Sequence, residues 1–234
     1  PQQAEEFQAL FNRRQAGEPI AHILGQREFW SLPLAINNST LIPRPDTELL
    51  VEAVLEIFSQ DSPQQVRRCL DLGTGTGAIV LAIASEKPHW NLLAVDYSAD
   101  AVTLAEYNRQ QLGFAQVRIA QSNWFAQIPQ QKFDVIVSNP PYIDPQDPHL
   151  DQGDVRFEPR SALIAENKGL ADIEFIIQQS WDYLAEQAWL VLEHGYDQAS
   201  VVRELFCQRG FVQLETRRDL GGNERITLGR KGQE

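Results

Sequence analysis

An α/β fold, with a mostly parallel sheet covered by helices and closed by an antiparallel hairpin, is predicted from three observations on this 234-residue sequence. Strand-like apolar runs at Arg68 to Leu72, Leu92 to Asp96, Val117 to Gln121, Phe133 to Ser138 and Trp189 to Glu193 alternate with helical stretches, which is the signature of parallel strands joined by helical crossovers. The final runs, Phe211 to Thr216 and Arg225 to Leu228, leave no room for a helix between them and are expected to pair antiparallel. The first strand of the series leads directly into Gly73-Thr74-Gly75-Thr76-Gly77, with a helix behind it from Ala78 to Ser85, so backbone can approach a ligand closely there.

Before that series the periodicity is different. Ala4 to Gln15 places Phe7, Leu10 and Phe11 at helical spacing and stops at Gly17, a short helix that reads as the remnant of something larger. From Arg27 to Ile42 two apolar stretches flank Asn37-Asn38, which tolerate left-handed conformations, and a hairpin connector is expected around that pair. Pro43 and Pro45 then forbid helix. Asp46 can cap the helix whose apolar face is Leu49, Leu50, Ala53, Val54, Ile57 and Phe58, and Asp61-Ser62-Pro63 is expected to end it. The expected division is a helical remnant over 1–25, a hairpin connector over 26–45 and the main domain over 46–234.

A hydrophobic content of 43% is enough for one substantial core. The 32 acidic against 20 basic residues leave a formal charge of -12, a field that disfavours nucleic acid as a direct substrate. Cys69 and Cys207 are the only cysteines, each in an apolar run, and are expected to be buried free thiols, as suits the cytoplasm. No apolar run approaches the roughly 18 residues needed to span a bilayer, and no export leader is visible. The chain starts at Pro1 and contains no methionine, so it reads as lacking its true start. His22, His89, His149 and His194 have no metal-ligand spacing among themselves or with the cysteines, and no metal site is expected.

Asp96 closes the strand after the glycine loop, where a carboxylate can accept both hydroxyls of a ribose. Loop and acid together describe a nucleoside-binding cleft. Gly73-x-Gly75-x-x-Ala78 also satisfies the dinucleotide fingerprint, so a nicotinamide dinucleotide stays open at this stage. Asp71 reads either as part of that cleft or as a strand-end turn carboxylate.

The run Phe133 to Ser138 continues straight into Asn139-Pro140-Pro141-Tyr142, a stiff loop at the carboxyl end of a strand, where open α/β sheets bind ligands. Pro140 and Pro141 offer no backbone donor. The loop therefore presents carbonyls and the Asn139 side-chain oxygen, which can accept both protons of one planar NH2 group, while the Tyr142 ring offers a flat face. A carboxamide nitrogen is a poor nucleophile because its lone pair is delocalised into the carbonyl. Acceptors aimed at its two N–H bonds oppose that delocalisation and can hold the lone pair in line with a methylsulfonium.

Asp71 to Gly77, Asn139 to Tyr142 and the upstream Leu41-Ile42-Pro43-Arg44-Pro45-Asp46-Thr47-Glu48 together resemble the peptide chain release factor glutamine methyltransferases. The likeness extends through Gly17 to Ile20, Arg27 to Trp30, Gln152 to Pro159 and Asn223-Glu224-Arg225. What the resemblance implies is a seven-stranded class I methyltransferase domain, Rossmann-like, preceded by a helical amino-terminal domain of which Ala4 to Gln15 would be the surviving end. By it, Gly73, Thr74, Gly75, Thr76, Gly77, Asp96, Trp124 and Asn139 would contact S-adenosyl-L-methionine, leaving S-adenosyl-L-homocysteine as product. Asn139, Pro140, Pro141 and Tyr142 would hold the substrate, with Asn139, Pro140 and Tyr142 as catalytic residues. The partner would be a release factor whose Gly-Gly-Gln glutamine is methylated by a monomeric cytoplasmic enzyme with no membrane partner. Two positions depart from the family pattern: Asn123 stands where an acidic residue usually precedes the tryptophan, and the strand near Ala188-Trp189 lacks its paired glycines.

Other polar groups are read more plainly. Glu193 and His194 end a strand facing the same crevice, either supporting the site or satisfied locally. Arg44 and Glu48 are read as an ion pair or as substrate contacts, and the aspartate-rich stretch 144–154 as a solvated loop beside the site. Two further enzyme readings remain open: a glutamine methyltransferase acting on a ribosomal protein, and an adenine-amino methyltransferase, which would need to hold a flipped base and grip phosphates.

Overall fold

The computed structural model describes residues 2–233. Strands β1 (Gln26–Phe29) and β2 (Leu32–Ala35) form a separate antiparallel ribbon. Strands β3 (Arg68–Leu72), β4 (Asn91–Asp96), β5 (Val117–Gln121), β6 (Phe133–Ser138), β7 (Leu184–Glu193), β8 (Phe211–Arg218) and β9 (Glu224–Lys231) build one sheet in the order β5-β4-β3-β6-β7-β9-β8. The first five of these strands run parallel, and β9 lies antiparallel to both β7 and β8. This is the expected seven-stranded α/β architecture with its antiparallel closing hairpin. The chain winds outward from β3 to β5 and then returns to lay β6 beside β3, so a crevice opens at the carboxyl ends of β3 and β6.

Eight helices accompany the strands among the described residues: α1 (Gln2–Gln15), α2 (Ile20–Leu24), α3 (Glu48–Ile57), α4 (Ala78–Glu86), α5 (Ala99–Leu112), the single turn α6 (Glu166–Gly169), α7 (Ala171–Tyr183) and α8 (Ala199–Arg209). Helices α3, α4 and α5 cover one face of the sheet, where Cys69, Ala94, Val135, Val137 and Val191 are buried. On the other face α7 and α8 meet Leu70, Leu72, Ile136, Leu190 and Leu192. Both faces of the central strands are therefore apolar, which is why they read as continuous hydrophobic runs. The β5–β6 connection carries no helix and covers its part of the sheet with Trp124, Phe125 and Ile128.

Several details differ from expectation. The hairpin turn is at Trp30-Ser31, not at Asn37-Asn38: Phe29 pairs with Leu32, and Trp30 and Ser31 take φ of 52° and 59°. A two-residue hairpin closed by a type I′ turn requires this left-handed pair. Tertiary contacts hold it, since the Trp30 backbone N–H donates to Glu48 Oε1 at 2.8 Å and its indole N–H to Glu86 Oε1 at 2.9 Å. Asn37 instead accepts from the Ser39 backbone and hydroxyl and bends the chain after β2. Strand β7 starts at Leu184, earlier than expected, because Gln187 at φ 60° interrupts its apolar alternation. Helix α3 ends at Ile57, short of Asp61, whose carboxylate pairs with Arg67. Cys207 is exposed on α8 while Phe206 is buried, so an apolar run on a helix did not mean burial of every member. Helix α1 is present, but none of its residues is buried, and Phe7 and Phe11 stack on each other in solvent.

Asn108 on α5 joins the ribbon to the sheet. It is buried, its Oδ1 accepts from Ala35 N at 2.8 Å, and its Nδ2 donates to Ala35 O at 3.2 Å and Thr76 O at 2.9 Å. The end of β2 and the glycine loop are thus fixed to one side chain. Asn108→Ala strips one buried and two half-buried backbone groups of a partner and is expected to lower the unfolding free energy by roughly 1–3 kcal/mol in a urea titration. A loss below about 0.5 kcal/mol would show that the clamp is not needed.

Candidate active site

The glycine loop owes its shape to three residues with positive φ: Gly73 at 71°, Gly75 at 55° and Gly77 at 85°. Gly73 and Thr74 both donate their N–H to Val95 O, at 2.9 and 3.0 Å, which draws the loop towards the tip of β4. A Cβ at Gly73 would come within 3.4 Å of the Trp124 ring, so the loop also has to be slim. Asp71 braces it from beneath, with Oδ2 accepting from Thr74 Oγ1 at 2.7 Å. Burial pushes the Asp71 carboxyl up to about 7 against the pull of Thr74. This is the strand-end turn role.

Asp96 faces the loop from β4. Its Oδ2 accepts from Gly75 N and its Oδ1 from Ser98 N, both at 2.9 Å, and Ser98 caps α5. Burial raises the Asp96 pKa while the surrounding backbone N–H groups of Gly75, Ser98 and Tyr97 lower it. Each carboxylate oxygen keeps a further acceptor direction, so the pair can still receive two adjacent hydroxyls.

A cavity of about 350 Å³ lies over these strand tips. Gly73, Thr74, Gly75, Thr76, Asp96, Trp124, Asn139 and Pro141 all line it. Gly77 does not: it sits behind the loop as the cap of α4. Trp124 is held at φ 49°, with its carbonyl accepting from Ser122 Oγ at 2.7 Å and its ring against Gly73. It is one of the residues that line the cavity. Asn123 is an exposed residue at the same rim, and the half-buried carboxyl of Asp172 also reaches the cavity, raised by burial and lowered by the Trp124 side chain.

Asn139 follows β6, whose tip is tied to β3 by Ser138 Oγ donating to Leu72 O at 2.7 Å. Asn139 Nδ2 donates to Thr47 Oγ1 at 3.2 Å, which leaves Oδ1 as the free end of the amide. Pro141 reaches the cavity, whereas Pro140 is buried behind it and Tyr142 packs largely into the core. Tyr142 is not among the residues that line the cavity, and its hydroxyl donates to Glu193 Oε1 at 3.1 Å. Burial and the neighbouring Glu193 hold that hydroxyl well above the ordinary phenol range.

Glu193 thus anchors the loop rather than facing the cavity. It is buried, and burial pushes its carboxyl up to about 7, opposed by the Thr47 and Tyr142 hydroxyls and by Arg225. His194 is satisfied locally between Thr227 Oγ1 and Gly195 O, each at 2.9 Å. The Arg44–Glu48 pair does not form. Arg44 Nη2 pairs with Glu158 Oε2 at 2.6 Å while Glu158 Oε1 accepts from Ile42 N at 2.9 Å, and Glu48 is taken by Trp30. These bonds stitch the segment carrying Ser161 and Ala162 to Pro43 and Arg44, closing a side of the cavity. Asp46 caps nothing: it lies within a 3-10 turn, Pro45–Thr47, 3.7 Å from Arg225. The aspartates of 144–154 accept from nearby backbone or pair with Arg14 and Arg160. Among the described residues no group of three or more His, Cys, Asp or Glu side chains could hold a metal ion.

In the sequence Thr47 and Glu158 stand only as parts of longer motifs, and Asp172 carries no signal of its own. The signal for Thr47 is slight: a hydroxyl just before a helix, with nothing to say that it meets an asparagine far along the chain.

A methyltransferase small domain model matches residues 45–156, and a PrmC N-terminal domain model matches residues 1–25. The chain is 55% identical over 229 residues to the release factor glutamine methyltransferase of Escherichia coli K12, covering 98% of this chain and 81% of that protein. To the Pseudomonas aeruginosa protein of the same name it is 54% identical over 230 residues, covering 98% and 82%. A solved structure, the release factor-specific protein-(glutamine-N5) methyltransferase from Alicyclobacillus acidocaldarius, aligns with TM-score 0.50 at 29% identity, covering 82% of this chain and 95% of that one.

The buried carboxyl behind the loop gives a test. Because Glu193 holds its proton up to about pH 7 in the folded chain but only to about 4.3 when unfolded, its contribution is full below that lower value and is lost as pH rises through the upper one. Glu193→Gln imitates the protonated form. The unfolding free energy of the wild type relative to Glu193→Gln is expected to fall by on the order of 2–4 kcal/mol between pH 4.5 and 7.5. Parallel pH profiles for the two proteins would contradict the assignment.

Proposed function

We infer the activity from the premise that the chain belongs to the release factor glutamine methyltransferase family. It transfers a methyl group from S-adenosyl-L-methionine to the side-chain amide nitrogen of a glutamine, within the Gly-Gly-Gln motif of a peptide chain release factor, and S-adenosyl-L-homocysteine is released. The observation that carries this reading is the orientation of Asn139. Its nitrogen is committed to Thr47, so its oxygen is the end available to a donor in the cavity shared with the glycine loop and Asp96.

The cavity suits the methyl donor. Asp96 is fixed by two backbone N–H groups yet retains acceptor capacity for a ribose. The slim loop permits close approach, Trp124 offers an apolar wall, and the volume of about 350 Å³ is in the range of small-molecule sites. When bound, S-adenosyl-L-methionine supplies a methyl group on a positively charged sulfur. Everything else is the work of the chain. Asn139 Oδ1 and the loop carbonyls accept from the two amide N–H groups, raise electron density on nitrogen and fix the plane of the target. Pro140 and Pro141 keep competing donors out of that arc. Tyr142 positions the loop through Glu193. One proton leaves the nitrogen as NH2 becomes NH–CH3.

A glutamine reaches such a crevice only on a slim, flexible segment, and flanking glycines provide that. The net charge of -12 favours a partner with a basic or neutral face over nucleic acid. No helix among the described residues is long and apolar enough to cross a membrane.

The reading is tested by mixing the enzyme and isotopically labelled donor with intact release factor, a release factor whose Gly-Gly-Gln glutamine is replaced by alanine, a ribosomal protein fraction and DNA. Label is expected in intact release factor alone. Label in DNA, or retained after the glutamine is replaced, would overturn the assignment, and selective labelling of the ribosomal fraction would move it to a ribosomal substrate.

A further inference from the structure

The opposite end of the sheet has its own concavity, of about 320 Å³, at the starts of β3, β4, β5 and β6. It exists because the β5–β6 connection carries no helix, so the face of β4 and β5 on the side of α7 and α8 is only partly covered. Strand alternation puts Arg68, Leu93 and Arg118 on this face, since their neighbours Cys69, Leu92 and Val117 point to the other one. Arg68 and Arg118 both line the concavity, Leu93 and Phe133 contribute to its floor, and Asn91 and Gln131 add uncharged polar groups.

The charge pattern here is the reverse of that in the whole chain. The formal charge is -12, yet no acidic residue lines this concavity. The nearby Asp134 is already engaged, with Oδ1 on Arg67 and Oδ2 on the Arg68 backbone N–H. The side chains of Arg68 and Arg118 make no hydrogen bond or ion pair among the described residues, whereas Arg13, Arg44, Arg67, Arg109, Arg217 and Arg225 all have carboxylate partners. Arginine on an edge strand can simply discourage edge-to-edge pairing, which accounts for Arg118 on β5. It does not account for Arg68 on β3, in the interior of the sheet.

We propose that Arg68 and Arg118 form a second ligand site, for a phosphate or pyrophosphate group, at the end of the sheet remote from the methyl-transfer cavity. Two guanidinium groups present planar forks of donors that match phosphate oxygens, and the amides of Asn91 and Gln131 can complete the shell. A strand of five or six residues separates the two sites by roughly 15–20 Å, so one ligand does not reach both.

The test is calorimetric titration of the full chain with inorganic pyrophosphate, with the methyl-transfer cavity free or saturated with S-adenosyl-L-homocysteine. Saturable binding is expected in both cases. R68Q/R118Q should weaken it by at least about 10-fold, while R68K/R118K, which keeps the charge, should retain most of it. Thermal unfolding of both variants should match the wild type, because neither side chain holds the fold together. No saturable binding up to about 10 mM, binding abolished by S-adenosyl-L-homocysteine, or binding unchanged in R68Q/R118Q would overturn the proposal.

Discussion

The hydrogen bond from Asn139 Nδ2 to Thr47 Oγ1 decides what the cavity can do. A carboxamide carries donors at one end and acceptors at the other, and the two ends are nearly equal in size. Without a partner for the nitrogen, the side chain could present either end to a ligand. Thr47 removes that choice because its own proton goes to Glu193 and leaves its oxygen as the acceptor, but only if it is itself in place. It is buried at the end of the 3-10 turn before α3, and α3 packs on α4 and reaches β7. Glu193 at the tip of β7 then stands behind both Thr47 and Tyr142. Three stretches far apart in sequence must therefore meet before Asn139 Oδ1 faces the right way.

The acids at the strand tips divide the remaining labour through their partners. Asp71 and Glu193 are each raised to about 7, and each has one carboxyl oxygen without a hydrogen-bond partner in the structure. Both hold neighbouring hydroxyls, Thr74 under the glycine loop and Tyr142 behind the asparagine loop. Asp96 instead receives a backbone N–H on each oxygen and still borders the cavity. The parallel neighbours β4, β3 and β6 bring these functions to one edge, and Asn108 holds the flanking ribbon to the same glycine loop.

Much of this was legible where local chemistry and tertiary structure agree. The central strands are buried on both faces, so Leu70 to Leu72 and Val135 to Val137 read as strands without any knowledge of their neighbours. Glycines at positive φ and a proline pair after an asparagine announce themselves in the same way. What stayed hidden depended on distant partners. The Trp30-Ser31 turn is held by Glu48 and Glu86, so the pair with the better turn propensity, Asn37-Asn38, was the wrong place to look. Arg44 and Glu48 read from sequence as an ion pair or as substrate contacts, and Arg44 pairs instead with the distant Glu158. The bond from the Tyr142 hydroxyl to Glu193 likewise joins residues 51 positions apart, which no local pattern announces.

If Thr47 acts by orienting Asn139, the two residues must be coupled in the rate of methyl transfer. The most direct measurement is a double-mutant cycle on single-turnover methylation of the release factor at saturating donor, using Thr47→Val, Asn139→Ala and the pair. Asn139→Ala is expected to slow the step by about 100- to 1000-fold and Thr47→Val by about 10- to 100-fold, with the double variant no slower than Asn139→Ala alone. A Thr47→Val enzyme as fast as the wild type, or a double variant whose loss is the product of the two single losses, would contradict the account.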